Sequence, residues 1–66
     1  VFSPSGDFVY VASRNDGTVL TYDRDGNLLD TVIIDGDPIN IVRSVTGQLG
    51  INHSDHSIAL IDPTFK

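Results

Sequence analysis

The chain contains no cysteine, no tryptophan and no methionine. Without cysteine there is no disulfide framework and no thiolate metal site, and that absence fits any redox compartment. Basic residues are scarce, four against nine acidic ones, for a net charge of −5. An acidic chain with no basic cluster does not suit a phosphate backbone, which sets nucleic acid aside as a partner. No apolar run approaches the ~20 residues that cross a bilayer as a helix, and no basic-then-apolar leader opens the sequence. Helical periodicity is missing as well, since no window places apolar residues on one helical face over successive turns. A chain of 66 residues allows at most one small domain. Such a domain buries only ~60% of the surface its unfolded chain exposes, so its core is marginal. The chain opens at Val1 inside a strand-like segment and without Met. It therefore reads as a processed product or an excerpt of something longer.

What is present is a series of short β-type runs between turn residues. Phe8 to Ala12 is apolar, β-branched and aromatic, and lies between Gly6 and Asn15-Asp16-Gly17. A run this short between turn signals reads as a strand buried on both faces. Thr18 to Tyr22 and Leu28 to Ile34 follow, separated by Asp23-Arg24-Asp25-Gly26-Asn27. In such turns Asp and Asn bond nearby backbone amides while Gly accepts positive φ. Asp37-Pro38 interrupts the pattern, because Pro38 has no N–H and biases Asp37 to an extended conformation. Ile39 to Val45, Leu49 to His53 and Ser57 to Ile61 read as three more strands, and Val1 to Ser3 as the remnant of another. The connections are of hairpin length, so neighbours should pair antiparallel.

The sequence repeats itself. Val1, Ser3, Gly6 and Ser13 align with Val42, Ser44, Gly47 and Ser54, and the apolar Phe8 and Tyr10 with Leu49 and Ile51. A two-residue deletion in the following hairpin then aligns Asp16, Val19, Tyr22 and Asp23 with Asp55, Ile58, Ile61 and Asp62. The period of ~40 residues is that of a four-stranded propeller blade. The expected fold is therefore all-β: antiparallel four-stranded β-propeller blades forming a partial propeller. Residues 1–37 make a first blade with a truncated innermost strand, and 38–66 a second that lacks its outer strand.

Phe2-Ser3-Pro4-Ser5-Gly6-Asp7-Phe8-Val9-Tyr10-Val11-Ala12-Ser13 resembles the core of the YVTN-type propeller repeats, Val19 to Asp23 their following strand, and Asp37-Pro38-Ile39-Asn40-Ile41 an opening shared with NHL repeats. The second copy departs from that pattern at Thr46-Gly47-Gln48, Gly50 and Asn52-His53. The resemblance implies a propeller and leans towards a periplasmic or extracellular protein. It implies no single activity, because propellers host many tasks.

Chemistry-bearing residues cluster at turns. His53, Asp55 and His56 could ligate zinc or a similar metal, although hairpin tips favour polar residues in any case. Asp23, Asp25 and Asn27 have the alternate oxygen spacing of a calcium loop, but Gly26 falls fourth rather than sixth and Ile34 stands where the EF-hand needs Glu. Asn52-His53-Ser54 fits the N-glycosylation acceptor pattern. None of Ser5, Ser54 and Ser57 has the strand–turn–helix setting of a nucleophile elbow. Among the expected innermost strands only Asn40 and Arg43 offer polar side chains for a channel site.

Three readings follow. The first is a non-catalytic scaffold or binding module whose rim loops present Arg14, Asn15, Asp16, His53, Asp55 and His56. It needs no cofactor, and the remaining blades or other chains complete its sheets. The second is a fragment of a propeller hydrolase with a channel metal, calcium or zinc. The third is a self-assembling protein whose open strand edges pair. The poverty of polar groups on the innermost strands favours the first.

Overall fold

The computed structural model describes residues 1–66. The chain is all-β, with two antiparallel three-stranded sheets. The first holds β1 (Phe8–Ser13), β2 (Thr18–Asp23) and β3 (Leu28–Ile33), in that order, and the second holds β4 (Pro38–Arg43), β5 (Leu49–His53) and β6 (Ile58–Ile61). No helix is long and apolar enough to cross a membrane.

Each sheet has three strands where four were expected for a complete blade. The remnant Val1 to Ser3 is too short to make a strand, but it does pair. The Val1 nitrogen donates to the Tyr10 carbonyl at 2.9 Å, and the Tyr10 amide donates back to Val1 at 2.7 Å. Phe2 thereby forms an isolated antiparallel bridge with Val9. β4 begins one residue earlier than expected, at Pro38. A first strand position tolerates a proline, and the ladder shifts register directly after it, between Pro38 and Asn40. β4 also ends earlier, because Ser44 and Gly47 close a turn there.

The hairpins explain why the two halves look alike. The Gly6 amide donates to the Ser3 carbonyl at 3.0 Å and the Gly47 amide to the Ser44 carbonyl at 3.1 Å. Both glycines sit at positive φ, +77° and +98°, which glycine reaches without steric cost. The turns differ in length, however. Ser3 pairs with Phe8 across four residues, whereas Ser44 pairs with Gln48 across three. The next hairpin repeats this, with Ser13 facing Thr18 across four residues and His53 bonded to Ser57 across three. The deletion is thus split, one residue at each turn, and not placed wholly in the second hairpin. Between the turns the strand equivalence slips by one. Tyr10 corresponds to Gly50, because each pairs with the matched valine, Val1 or Val42.

A one-residue slip exchanges the faces of a strand, and the packing shows it. Tyr10 and Val19 from the first sheet meet Leu49 and Ile51 from the second in one buried cluster. Ile34, Ile41, Ala59 and Ile61 pack around it. The inward residues of β1 and β2 therefore correspond to the outward residues of β5 and β6, namely Gly50, Ile58 and Leu60. The outward Val9, Val11, Leu20 and Tyr22 correspond to the inward Leu49, Ile51, Ala59 and Ile61. The sheets lie in the same sense, like two cards in a deck, and not as mirror partners.

The core is small enough for single residues to dominate it. Ile51 is fully enclosed, whereas its sheet neighbour Leu60 is 84% exposed. Ile51→Ala should cost about 2–5 kcal/mol, while Leu60→Ala in the monomer should change little. In a domain this small the first loss approaches the whole folding free energy. Urea midpoints followed by circular dichroism of both variants check the contrast.

Candidate functional site

Three chain segments meet at one end of the stack: the β1–β2 hairpin tip, the β5–β6 hairpin tip and the linker from β3 to β4. Each is held by specific bonds. The Ile34 amide donates to the Gly17 carbonyl at 2.9 Å, and the Ser54 amide to the Asp37 carbonyl at 2.9 Å. Arg14 extends its guanidinium to Asp37, Nε to Oδ1 at 2.9 Å and a terminal nitrogen to Oδ2 at 2.7 Å. This two-pronged geometry fixes orientation as well as charge. It joins the first sheet to the segment that opens the second.

The rim residues expected from sequence separate into two groups. Arg14, Asn15, Asp16, Asp55 and His56 lie exposed on the hairpin tips. His53 ends β5 facing inward and is buried, 6% exposed. Its ring packs against Gly36, and its Nδ1 lies 3.4 Å from the Ser57 carbonyl. Its Nε2 is buried with no protein partner, as is Thr18 Oγ1. Asp37 and Gly36 bring Arg14 and His53 to the same joint; in sequence they belong to the strand break and repeat opening at Pro38 and not to the expected rim.

Asp55 at the β5–β6 tip, and Asp23 on the β2–β3 turn at the far end, are each committed to their own turns. Asp55 Oδ1 accepts from the Ser57 amide at 3.0 Å and from Ser57 Oγ at 2.6 Å. Ser57 Oγ thus donates its hydrogen bond to a carboxylate and not to a histidine. Asp23 Oδ1 accepts from the amides of Asp25 and Asn27, both at 2.9 Å. Its second oxygen accepts from Asn27 Nδ2 at 3.1 Å, and together these bonds close the β2–β3 turn. No group of three or more His, Cys, Asp or Glu side chains is arranged to hold a metal ion. Asn52, the glycosylation candidate, is half-buried in β5, paired between Asn40 and Ile58.

These bonds set the acidity of the site. The Arg14 guanidinium holds the Asp37 carboxyl below its usual range. Bonds from Asn27 do the same for Asp23, and those from Ser57 for Asp55. Burial, partly offset by Lys66 and Arg43, pushes the Tyr10 phenol up.

A groove of about 410 Å³ runs between β1 and β4, lined by Val11, Ala12, Pro38, Ile39 and Ile41, with Arg14 at its rim end. Its walls are mostly apolar, and the polar candidates Asn40 and Arg43 divide: Asn40 lines it, Arg43 does not.

Comparison with protein-family models, with curated proteins and with solved structures gives no match for the chain.

Two measurements probe this joint. Gly36 and Gly26 both adopt positive φ, +81° and +87°, but a Cβ on Gly36 would lie 3.0 Å from the His53 ring, while one on Gly26 would meet nothing within 4 Å. Both Ala variants pay the left-handed penalty of about 1–2 kcal/mol, so Gly36→Ala should be the more destabilising in chemical denaturation, by the His53 contact. The second is acid titration. Folded-state pKa values of Asp37, Asp23 and Asp55 lie below their unfolded values, so the stabilisation is fully present above the unfolded carboxylate pKa of about 3.9 and is lost as pH falls through the folded values. Melting temperature should therefore hold from neutrality to about pH 5 and drop below about pH 4. Asp37→Asn should make that drop shallower.

Proposed function

We propose that this chain is a propeller-type blade segment of the YVTN/NHL kind that works as a non-catalytic scaffold and binding module. The observation that carries the reading is the same-sense stacking of two repeat-related sheets, which gathers the β1–β2 tip, the β5–β6 tip and the linker with its Arg14–Asp37 pair at one end. A stack of this kind leaves its loops free to vary while the sheets fix their position. Asn15, Asp16 and His56 would make the outward contacts, with Arg14 and Asp37 fixing the joint beneath them. Recognition at such a rim rests on exposed amides, a carboxylate and an imidazole on short, rigid turns. The reading calls for no cofactor. Its setting outside the cytoplasm follows the repeat resemblance alone.

The rival reading, a hydrolase fragment with a channel metal, has a weaker basis. The β1–β4 groove would be its channel wall, and that wall is apolar but for Arg14 and Asn40.

Calorimetric titration with calcium and with zinc, together with a chromogenic lactone and ester assay, separates the two. The scaffold reading expects neither stoichiometric metal binding nor turnover. It also expects Asn15→Ala, Asp16→Ala and His56→Gly to leave the β spectrum and melting midpoint nearly unchanged. Stoichiometric metal uptake accompanied by hydrolysis would overturn it in favour of the enzyme.

A further inference from the structure

Both outer faces of the two-sheet stack carry exposed apolar side chains, with Val9, Leu20 and Tyr22 half-buried on the first and Asn40 and Asn52 interrupting the second. On the second sheet Val42, Gly50 and Leu60 form one row across the strands, continued by Ile58 opposite Asn52. Val42, Ile58 and Leu60 are 54%, 66% and 84% exposed. On the first sheet the rows are Phe2–Val9–Tyr22–Leu28 and Val11–Leu20–Thr31, with Phe2 67%, Leu28 53% and Val11 41% exposed. Apolar surface on this scale relative to the chain marks an association face.

The molecule itself shows what such faces fit. Val9, Val11, Leu20 and Tyr22 occupy the strand positions that Leu49, Ile51, Ala59 and Ile61 occupy in the second sheet, and those residues are packed against the first sheet. Ile58 and Leu60 likewise occupy the positions of Val19 and Thr21, which are buried at that same internal contact. The outer face of the second sheet is thus the counterpart of the first sheet's inner face, and the outer face of the first is the counterpart of the second's inner face. Laying one molecule's Leu60 face on another's Val11 face repeats the contact already made inside each chain.

We infer that two copies of this chain associate head to tail, the outer face of the second sheet of one on the outer face of the first sheet of the other. The inference rests on the blade reading above and names its partner. The interface is heterologous: each copy uses two different surfaces, so association continues until a ring closes or a filament grows. With typically 4–8 blades in a ring and two sheets per chain, closure takes roughly two to four copies.

Gly50 belongs to this contact. It stands where the first sheet has Tyr10, and Val42 leans over it, its Cγ2 3.2 Å from where a Cβ would be. The row therefore has no side chain of its own between Val42 and Leu60, and Val42 covers that position.

The test is solution mass by analytical ultracentrifugation over a dilution series, with circular dichroism on each sample. Wild type should grow in weight-average mass above its 7.1 kDa as concentration rises. Leu60→Asp and Val11→Asp should each be monomeric, because each lacks one half of the only interface. Mixed in equal amounts they should form a dimer that stops there, since the mixture retains one intact Val11 face and one intact Leu60 face. If Val11→Asp loses its β spectrum, Leu28→Asp on the edge strand takes its place. A wild type that stays monomeric with an intact spectrum would overturn the association while leaving the internal stack and the scaffold reading standing. A single-face variant that still assembles would also overturn it, and would assign assembly to strand edges or to like faces. Metal uptake with turnover bears on the scaffold reading alone, so the two fail separately.

Discussion

Everything in this chain hangs on one sheet lying on another. Six short strands make two three-stranded sheets, and a sheet of that size is stable only when its hydrophobic face is covered. Tyr10 and Val19 pressed against Leu49 and Ile51 convert them into a folded unit. Because the sheets are repeat-related and lie in the same sense, that contact draws on opposite faces of equivalent strands. The arrangement buries one face of each sheet and leaves the other apolar. Two mirror-packed sheets of the same strands would have hidden like faces together and left like faces outside. The direction of stacking thus decides both what is buried and what remains adhesive.

The rim follows from the same constraint. Once the sheets are stacked, the linker must pass between two hairpin tips, and there is little room for it. Gly17, Gly36 and the His53 ring fill that passage, and the Arg14–Asp37 pair ties it on the outside. An exposed ion pair of this kind contributes little to stability by itself. Its value is positional, because it aligns the linker with the hairpin that faces it. At the tips Asp16 accepts from Ser13 and Asp55 from Ser57, each within its own turn, which makes for a firm surface.

Strand positions were legible in the sequence because the apolar runs are short, rich in β-branched residues and bounded by Gly, Asp and Asn. The repeat was legible for the same reason: Gly6 and Gly47 mark the same turn. What could not be read was the slip. Matching Tyr10 with Ile51 aligned two buried residues, which is the natural choice when burial is taken as the property a repeat preserves. In a same-sense stack the repeat preserves backbone pairing, and burial changes sides, so Tyr10 corresponds to Gly50. His53 misled in a similar way. Its neighbours Ser54, Asp55 and His56 form a polar tip, but strand alternation turns His53 inward, behind Gly36. The partner that gathers the joint, Asp37, was hidden behind the more conspicuous Pro38.

The far ends of the sequence converge on a single residue. Tyr10 holds Val1 through its backbone, in both directions, and its hydroxyl donates to the carbonyl of Phe65. The Phe65 ring lies 5.5 Å from that of Phe8. Mechanically, this makes the chain a loop with its clasp at β1. Tension applied between residues 1 and 66 would be carried first by the bonds around Tyr10, peeled one at a time, before any load reached the hairpins. A fold that resists denaturant through its stacked sheets would in this direction open like a purse, at the clasp.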